Sequence, residues 1–374
     1  MKYLKLLIIV PIIFLITGCY NYRELNDLGI TTAIGISKEN DLYKLSIEVL
    51  KTEVNGDSDA DMPKFIVFES TGRTIQEALR NTILESTKRL YVDHLAILII
   101  DEDVAKDGIS EIMDLFFRDP ESRKQFYILI SKVDVNKLLN TESLLEEVNS
   151  KSIFERLKSN EDYLNSVVSI TYSKLLSKYV NPYIELSIPT ITLEDVEVKR
   201  ENLPSKKIVL EDIAIFKDDK LVGYITKEDA LYLNFILNNV KDTILTVEDK
   251  DSYNSIEVIK SDTKIDVSNN NININIKLCG NIAEVNSVND LTNPNTINYL
   301  EDLFEQDLNS KIKNSIDKII KEYDSDIYGF RDLIYKKDYK HFNENIKLKD
   351  LNIKIDTQVE LKYKGNGAYE LDER

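Results

Sequence analysis

Leu95-Ala96-Ile97-Leu98-Ile99-Ile100 is an apolar run with no polar residue at alternate positions. A strand with one wet face would alternate, so this run belongs to a strand covered on both faces, in the middle of its sheet. Working outward, Tyr91-Val92-Asp93-His94 leads into it. Upstream, Thr74 with Glu77 three residues on forms a capping box, and Ile75, Ala78, Leu79, Thr82 and Ile83 fall on one helical face. Downstream, Ile109, Ile112, Met113, Phe116 and Phe117 mark a second amphipathic helix, which Asp119-Pro120 stops before a strand at 126–133. Two β-branched stretches, 29–37 and 42–54, flank a turn at 38–41 as in a hairpin, and a third strand lies at 65–69. The order β, β, β, α, β, α, β predicts a compact first domain of the mixed α/β or α+β kind.

Further along, residues 141–180 read as helical in pieces, with a short strand at 167–170 before Thr171 caps a helix over 172–179. Strands are expected at 183–193, 208–216 and 221–225, then a helix over 226–240. In the last third, Ile272, Ile274, Ile276 and Leu278 recur at strict period two between Asn and Lys. That alternation favours an antiparallel strand over low complexity in the Asn-rich tract 269–275. Strands at 244–247 and 256–267 precede it. Pro294 opens a long helix carrying Ile297, Leu300, Phe304, Leu308, Ile312, Ile316 and Ile320, and a shorter helix over 326–336 and a final strand over 348–363 complete a sheet with helices on one side. The expected fold is therefore α+β or mixed α/β, a multi-domain ectodomain of mixed and antiparallel sheets covered by helices. The expected divisions are a leader at 1–18, an N-terminal α/β domain at 19–140, a middle α/β domain at 141–240, and a C-terminal domain of antiparallel sheet plus long helix at 241–374.

The leader itself is distinctive. Lys2 and Lys5 precede an apolar run over 6–16, and Leu15-Ile16-Thr17-Gly18-Cys19 closes it. This order reads as a secretory signal ending in a lipobox, rather than an ordinary cleaved signal with a chance cysteine. The run is about half the ~20 residues a membrane-crossing helix needs. Cleavage before Cys19 would make it the new N-terminus, with its sulfur carrying a diacylglycerol. Two acyl chains hold a membrane stably where one does so only marginally, at about 0.8 kcal/mol per buried CH₂.

The formal net charge is −17; Lys2 and Lys5 leave with the leader, so the mature part stands at −19. Such a surface repels nucleic acid phosphates and anionic headgroups, which excludes nucleic acid as a partner and assigns anchoring to the lipid. With Cys19 committed to lipid only Cys279 remains, so no intramolecular disulfide can form. Cys279 ends the alternating segment and reads as a half-buried strand residue rather than a reactive thiol.

Catalytic equipment is sparse. The two histidines, His94 and His341, lie in different expected domains, which supplies neither a His-based metal site nor a triad. His94 is expected to be a satisfied structural residue bordering the buried strand, and His341 solvated. Asp57, Asp59 and Asp61 resemble the start of a calcium loop, but no glycine follows at the sixth position and Phe68 stands at the twelfth, so a solvated loop is the better reading. No G-x-S-x-G elbow, P-loop or dinucleotide fingerprint occurs. No catalytic residues, cofactor or metal are assigned, and the expectation is a non-enzymatic, membrane-tethered ectodomain.

Several blocks resemble the Ger(x)C family, the C-subunit lipoproteins of spore germinant receptors. Cys19-Tyr20-Asn21-Tyr22-Arg23-Glu24-Leu25-Asn26 is similar to its post-lipobox segment, with Tyr20 and Asn21 in place of the usual Trp and Asp. Gly72-Arg73-Thr74-Ile75-Gln76-Glu77-Ala78-Leu79, Arg89-Leu90-Tyr91-Val92-Asp93-His94-Leu95 and Phe116-Phe117-Arg118-Asp119-Pro120-Glu121-Ser122-Arg123 resemble its most recognisable blocks. Ile215-Phe216-Lys217-Asp218-Asp219-Lys220-Leu221-Val222-Gly223-Tyr224 and Asp326-Ile327-Tyr328-Gly329-Phe330 resemble its C-terminal ones. The resemblance covers essentially the whole mature chain. It implies a three-domain α/β lipoprotein on the outer surface of the spore inner membrane, lipid-attached at Cys19. It also implies partnership with the integral membrane A and B subunits of a nutrient receptor, and no known catalysis. Gly72-Arg73-Thr74 and 216–223 are either partner surfaces or caps and tight turns. A solute-binding lipoprotein of a transport system and an extracytoplasmic cell-wall enzyme stand as alternative functions.

Overall fold

The computed structural model describes residues 28–51, 64–120, 122–143, 145–196, 205–250, 252–285, 291 and 293–363. Cys19 with its leader, the post-lipobox block and the acidic stretch with Asp57, Asp59 and Asp61 lie outside the described residues.

The described residues form two sheets. The larger uses β1 (Leu28–Glu39), β2 (Leu42–Leu50), β3 (Phe65–Gly72), β4 (Arg89–Tyr91), β5 (Ile97–Asp101), β6 (Tyr127–Ser131), β7 (Ser187–Asp195), β8 (Lys206–Lys217) and β9 (Lys220–Ile225), in the order β3-β2-β1-β5-β6-β7-β8-β9 with β4 beside the start of β1. The hairpins at either end are antiparallel, while β1, β5, β6 and β7 run parallel. Ile97, Leu98, Ile99 and Ile100 of β5 are each fully buried, as their unbroken apolar run requires. Parallel neighbours need crossovers. Here these are α1 (Ile75–Asn81), α2 (Glu102–Asp107), α3 (Ser110–Arg118), α4 (Val135–Leu139), α5 (Asn149–Tyr163) and α6 (Tyr172–Tyr179).

The border expected at residue 140 falls inside this sheet. β7 returns to pair with β6 at Ile130↔Thr190 and Ser131↔Ile191, and the Lys132 amide donates to the Ile191 carbonyl at 3.1 Å. Residues 28–225 therefore supply one sheet rather than two, because the change of texture after 140 marks a long helical crossover and not a linker. The strand expected at 167–170 is a largely buried stretch without regular structure, with a single bridge, Tyr127↔Thr171, beside it.

The second sheet has the order β10 (Thr243–Asp249), β11 (Ser252–Ser268), β12 (Asn271–Glu284), β13 (Asn352–Tyr363). Ile272, Ile274, Ile276 and Leu278 point inward as their alternation predicts. β13 departs from the expected antiparallel character by running parallel to β12, and residues 348–350 form a 3₁₀ turn before it. The return is parallel because the 30-residue helix α8 (Pro294–Tyr323) and α9 (Phe330–Lys337) intervene and carry the chain back. Between the two sheets lies α7 (Lys227–Ile236), opened by a reciprocal Thr226–Asp229 capping box. Residues 229, 230 and 232–236 are all buried, so α7 has a covered face toward each sheet, and one apolar cluster runs from Ala33 and Ile97 through Phe235 to Ile274 and Ile316.

Candidate functional site

Two constellations gather the sequence blocks singled out above. The first is a surface groove of about 340 Å³ lined by residues from Gln76 to Ile83, by Arg89, Leu90 and Val92, and by Leu115, Phe116 and Asp119. It is built from the end of β3. A Cβ on Gly72 would stand 2.4 Å from the Ala78 amide nitrogen, so glycine is what lets the strand pass directly under α1. Thr74 then caps α1, its hydroxyl accepting from the Glu77 amide at 3.1 Å, while the Glu77 carboxylate accepts from the Arg73 amide at 2.7 Å. Asn81 donates to the Thr71 carbonyl and ties the helix back onto its strand.

Past Asn81 the chain tightens into a 3₁₀ turn over Thr82–Leu84. Ile83, which α-helical spacing places on the apolar face, is consequently 57% exposed, and Leu84 is 85% exposed. β4 then runs alongside β1, pairing Leu28 with Arg89 and Gly29 with Leu90. The opposite wall comes from α3, where buried Phe116 packs on Phe126 at 5.1 Å between ring centres and on Tyr172 at 6.0 Å. Phe117 is also expected on the buried face, but it sits over the solvent at 62% exposure because the helix presents only Ile112, Met113 and Phe116 to the core. Arg123 pairs with Asp93 at 2.9 Å and joins the third block to the second. His94, bordering β5, is exposed, its ring 5.9 Å from Tyr91, within a 3₁₀ turn over Val92–His94.

The second constellation is internal. The β8–β9 hairpin turns through Asp218, whose amide donates to the Glu185 carboxylate at 2.7 Å. The Asp219 carbonyl accepts from the Ile109 amide at 3.0 Å. On its other side Ser325 donates to the Phe216 carbonyl at 2.6 Å and Tyr323 to the Tyr224 carbonyl at 2.9 Å. Fully buried Asp326 accepts from the amides of Gly329, Phe330 and Arg331 at 2.7–3.0 Å, holding the first turn of α9, with the Arg331 guanidinium 3.6 Å away. Burial pushes the Asp326 carboxyl up, against the pull of those amides and of Arg331. Residues 215–224 and 326–330 thus clamp the two sheets together. Of the two readings of 216–223, turn and internal clamp accounts for most of its polar groups.

Neither constellation has catalytic geometry. The groove brings together Arg80, Arg89 and Asp119 without a nucleophile–base pair. Among the described residues no cluster of three or more His, Cys, Asp or Glu could hold a metal ion. His341 is exposed and pairs with Asp338 at 2.9 Å, and Cys279 is a half-buried residue of β12. The sequence alone did not single out Arg80 or Leu84. Their signal is the helix end at Asn81, after which an apolar residue no longer faces the core.

Comparison with known proteins covers most of the chain. Residues 21–193 match the family model described as spore germination protein N-terminal domain, and residues 211–365 the one described as spore germination B3/GerAC like, C-terminal. Spore germination protein KC of Bacillus subtilis (strain 168) is 25% identical over 348 residues, 87% of this chain and 85% of that protein. Spore germination protein GerQC of Bacillus cereus is 24% identical over 370 residues, 95% of this chain and 97% of that one. The crystal structure of the GerBC protein shares the fold, with a TM-score of 0.53 at 18% identity over 88% of this chain and 96% of that one.

Proposed function

The chain belongs to the GerAC-like family of spore germination proteins, and from that membership we propose that it is the lipid-anchored, non-catalytic C subunit of a nutrient germinant receptor. The observation that carries the reading is the paired family match, over residues 21–193 and 211–365, which takes in most of both sheets and every block from Gly72 onward. In this reading Cys19 carries the diacylglycerol and the ectodomain stands on the outer surface of the spore inner membrane. There it is bound to the integral membrane A and B subunits and stabilises or couples the assembly. Among the described residues no helix is long and apolar enough to cross a membrane, in keeping with attachment through lipid. A two-lobed solute-binding architecture would repeat one strand order, whereas the two sheets here are ordered β3-β2-β1-β5-β6-β7-β8-β9 and β10-β11-β12-β13.

The test is germination of spores lacking the gene, challenged with nutrients and with a trigger that bypasses nutrient receptors. Loss of a nutrient response with the bypass intact is the expected result. Loss of both responses would assign the protein to the general envelope or cortex machinery and overturn the receptor reading.

A further inference from the structure

Leu28, the first described residue of β1, is paired with Arg89 on the rim of the groove. From Cys19 to Leu28 is nine residue steps, which span at most about 30 Å even when fully extended. A lipid on Cys19 therefore keeps Leu28, and the groove rim beside it, within about 30 Å of the bilayer. The surface found there combines two features.

One wall of it is basic where the chain is acidic. Residues 71–90 contain Arg73, Arg80, Lys88 and Arg89 against Glu77 and Glu85, in a protein of net charge −17. It also displays large apolar side chains: Ile83 and Leu84 project from the 3₁₀ turn beside Arg80 and Arg89, and Phe117 projects from the helix that forms the far wall. Arginines beside exposed Leu, Ile and Phe are the composition of surfaces that lie in the headgroup region, the cations meeting phosphates and the apolar groups entering the acyl boundary. We infer that the face carrying Ile83, Leu84, Phe117, Arg80 and Arg89 rests on the lipid headgroups of the membrane that holds Cys19. This rests on the lipid anchor proposed above and adds to it an orientation, with the groove facing the bilayer.

The test uses the full lipidated chain in phosphatidylcholine–phosphatidylglycerol vesicles. In a Cys279→Ser background, Leu84→Cys is labelled with an environment-sensitive fluorophore, the Cys19 sulfur being occupied by its lipid. Tyr253→Cys, an exposed position on the second sheet, serves as the comparison. Lipids spin-labelled near the headgroup should quench the probe at position 84 several-fold more than the probe at position 253. Vesicle-bound protein with equal quenching, or none, at position 84 overturns the orientation and leaves the anchor standing. Protein that does not float with the vesicles overturns both. A probe at 84 that becomes shielded from the lipid when integral membrane partners are added makes the face a protein-docking surface and overturns its assignment to lipid.

Discussion

Tyr323, at the end of α8, lies across Gly223 of β9 so closely that a Cβ on the glycine would stand 2.2 Å from the tyrosine ring. The ring can close there only because the strand offers no side chain, and its hydroxyl then reaches the Tyr224 carbonyl at 2.9 Å. Gly223→Ala should displace the ring and destabilise the protein by about 1–3 kcal/mol, the usual cost of overpacking. Urea unfolding measures it. If the clash is the cause, Gly223→Ala added to Tyr323→Ala should cost markedly less than the two single changes together.

Glu48 offers a pH-dependent counterpart. It is fully buried on β2, accepting from Thr32 at 2.7 Å and from the Ser150 amide at 3.2 Å, where it serves the first turn of α5 that Val148 cannot cap. Burial raises its pKa above the ordinary 4.5, with the bonds from Ser150 and Thr32 acting against that rise. A raised carboxyl binds its proton more readily folded than unfolded, so its contribution is largest below the unfolded pKa and is lost as pH rises through the folded one. The stability of the native protein relative to Glu48→Gln should therefore improve as pH falls from 7 toward 4. A difference independent of pH would show that Glu48 titrates alike in both states.

The free edge of β13 is closed by side chains of α8. Glu305 accepts from the Val359 amide at 2.9 Å, Glu301 from the Leu361 amide at 2.8 Å, and Asn309 from Thr357 at 2.8 Å. Open strand edges recruit other chains. Glu301→Ala with Glu305→Ala should lower stability by about 2–4 kcal/mol, at 1–2 kcal/mol for each charged acceptor lost. Light scattering on storage should also show a growing aggregate fraction. A monodisperse double variant would mean the helix backbone alone shields the edge.

Cys19→Ala should move the protein from membrane to soluble fractions of the expressing cell and weaken the nutrient response of the spores. Retention on the membrane with full response would remove lipid from the account.

The sequence announced some of this plainly. Residues 95–100 and 272–278 have periods that only their observed burial satisfies, and Thr74 caps its helix where spacing places it. Other features depend on partners distant in the chain. β7 joins β6 across 55 residues of crossover, and β13 chooses a parallel neighbour because of what α8 does, which no local pattern encodes. Ile83 and Phe117 depart from expectation for a shared reason: helical period assigns a face but does not foresee where a helix gives way to a tighter turn or how wide its covered stripe is. In the site the blocks were legible as blocks. That three of them would meet in a groove, while 215–224 and 326–330 would turn inward on one another, required the fold.

α7 is wrapped by protein along nearly its whole length, and the apolar cluster on one of its sides is continuous with that on the other. Among the described residues such a spindle leaves no seam between the two sheets at which one could melt while the other stays ordered. Heating should therefore give one calorimetric transition, with the van't Hoff enthalpy equal to the measured one, and a load applied at either end should be felt at the other without slack.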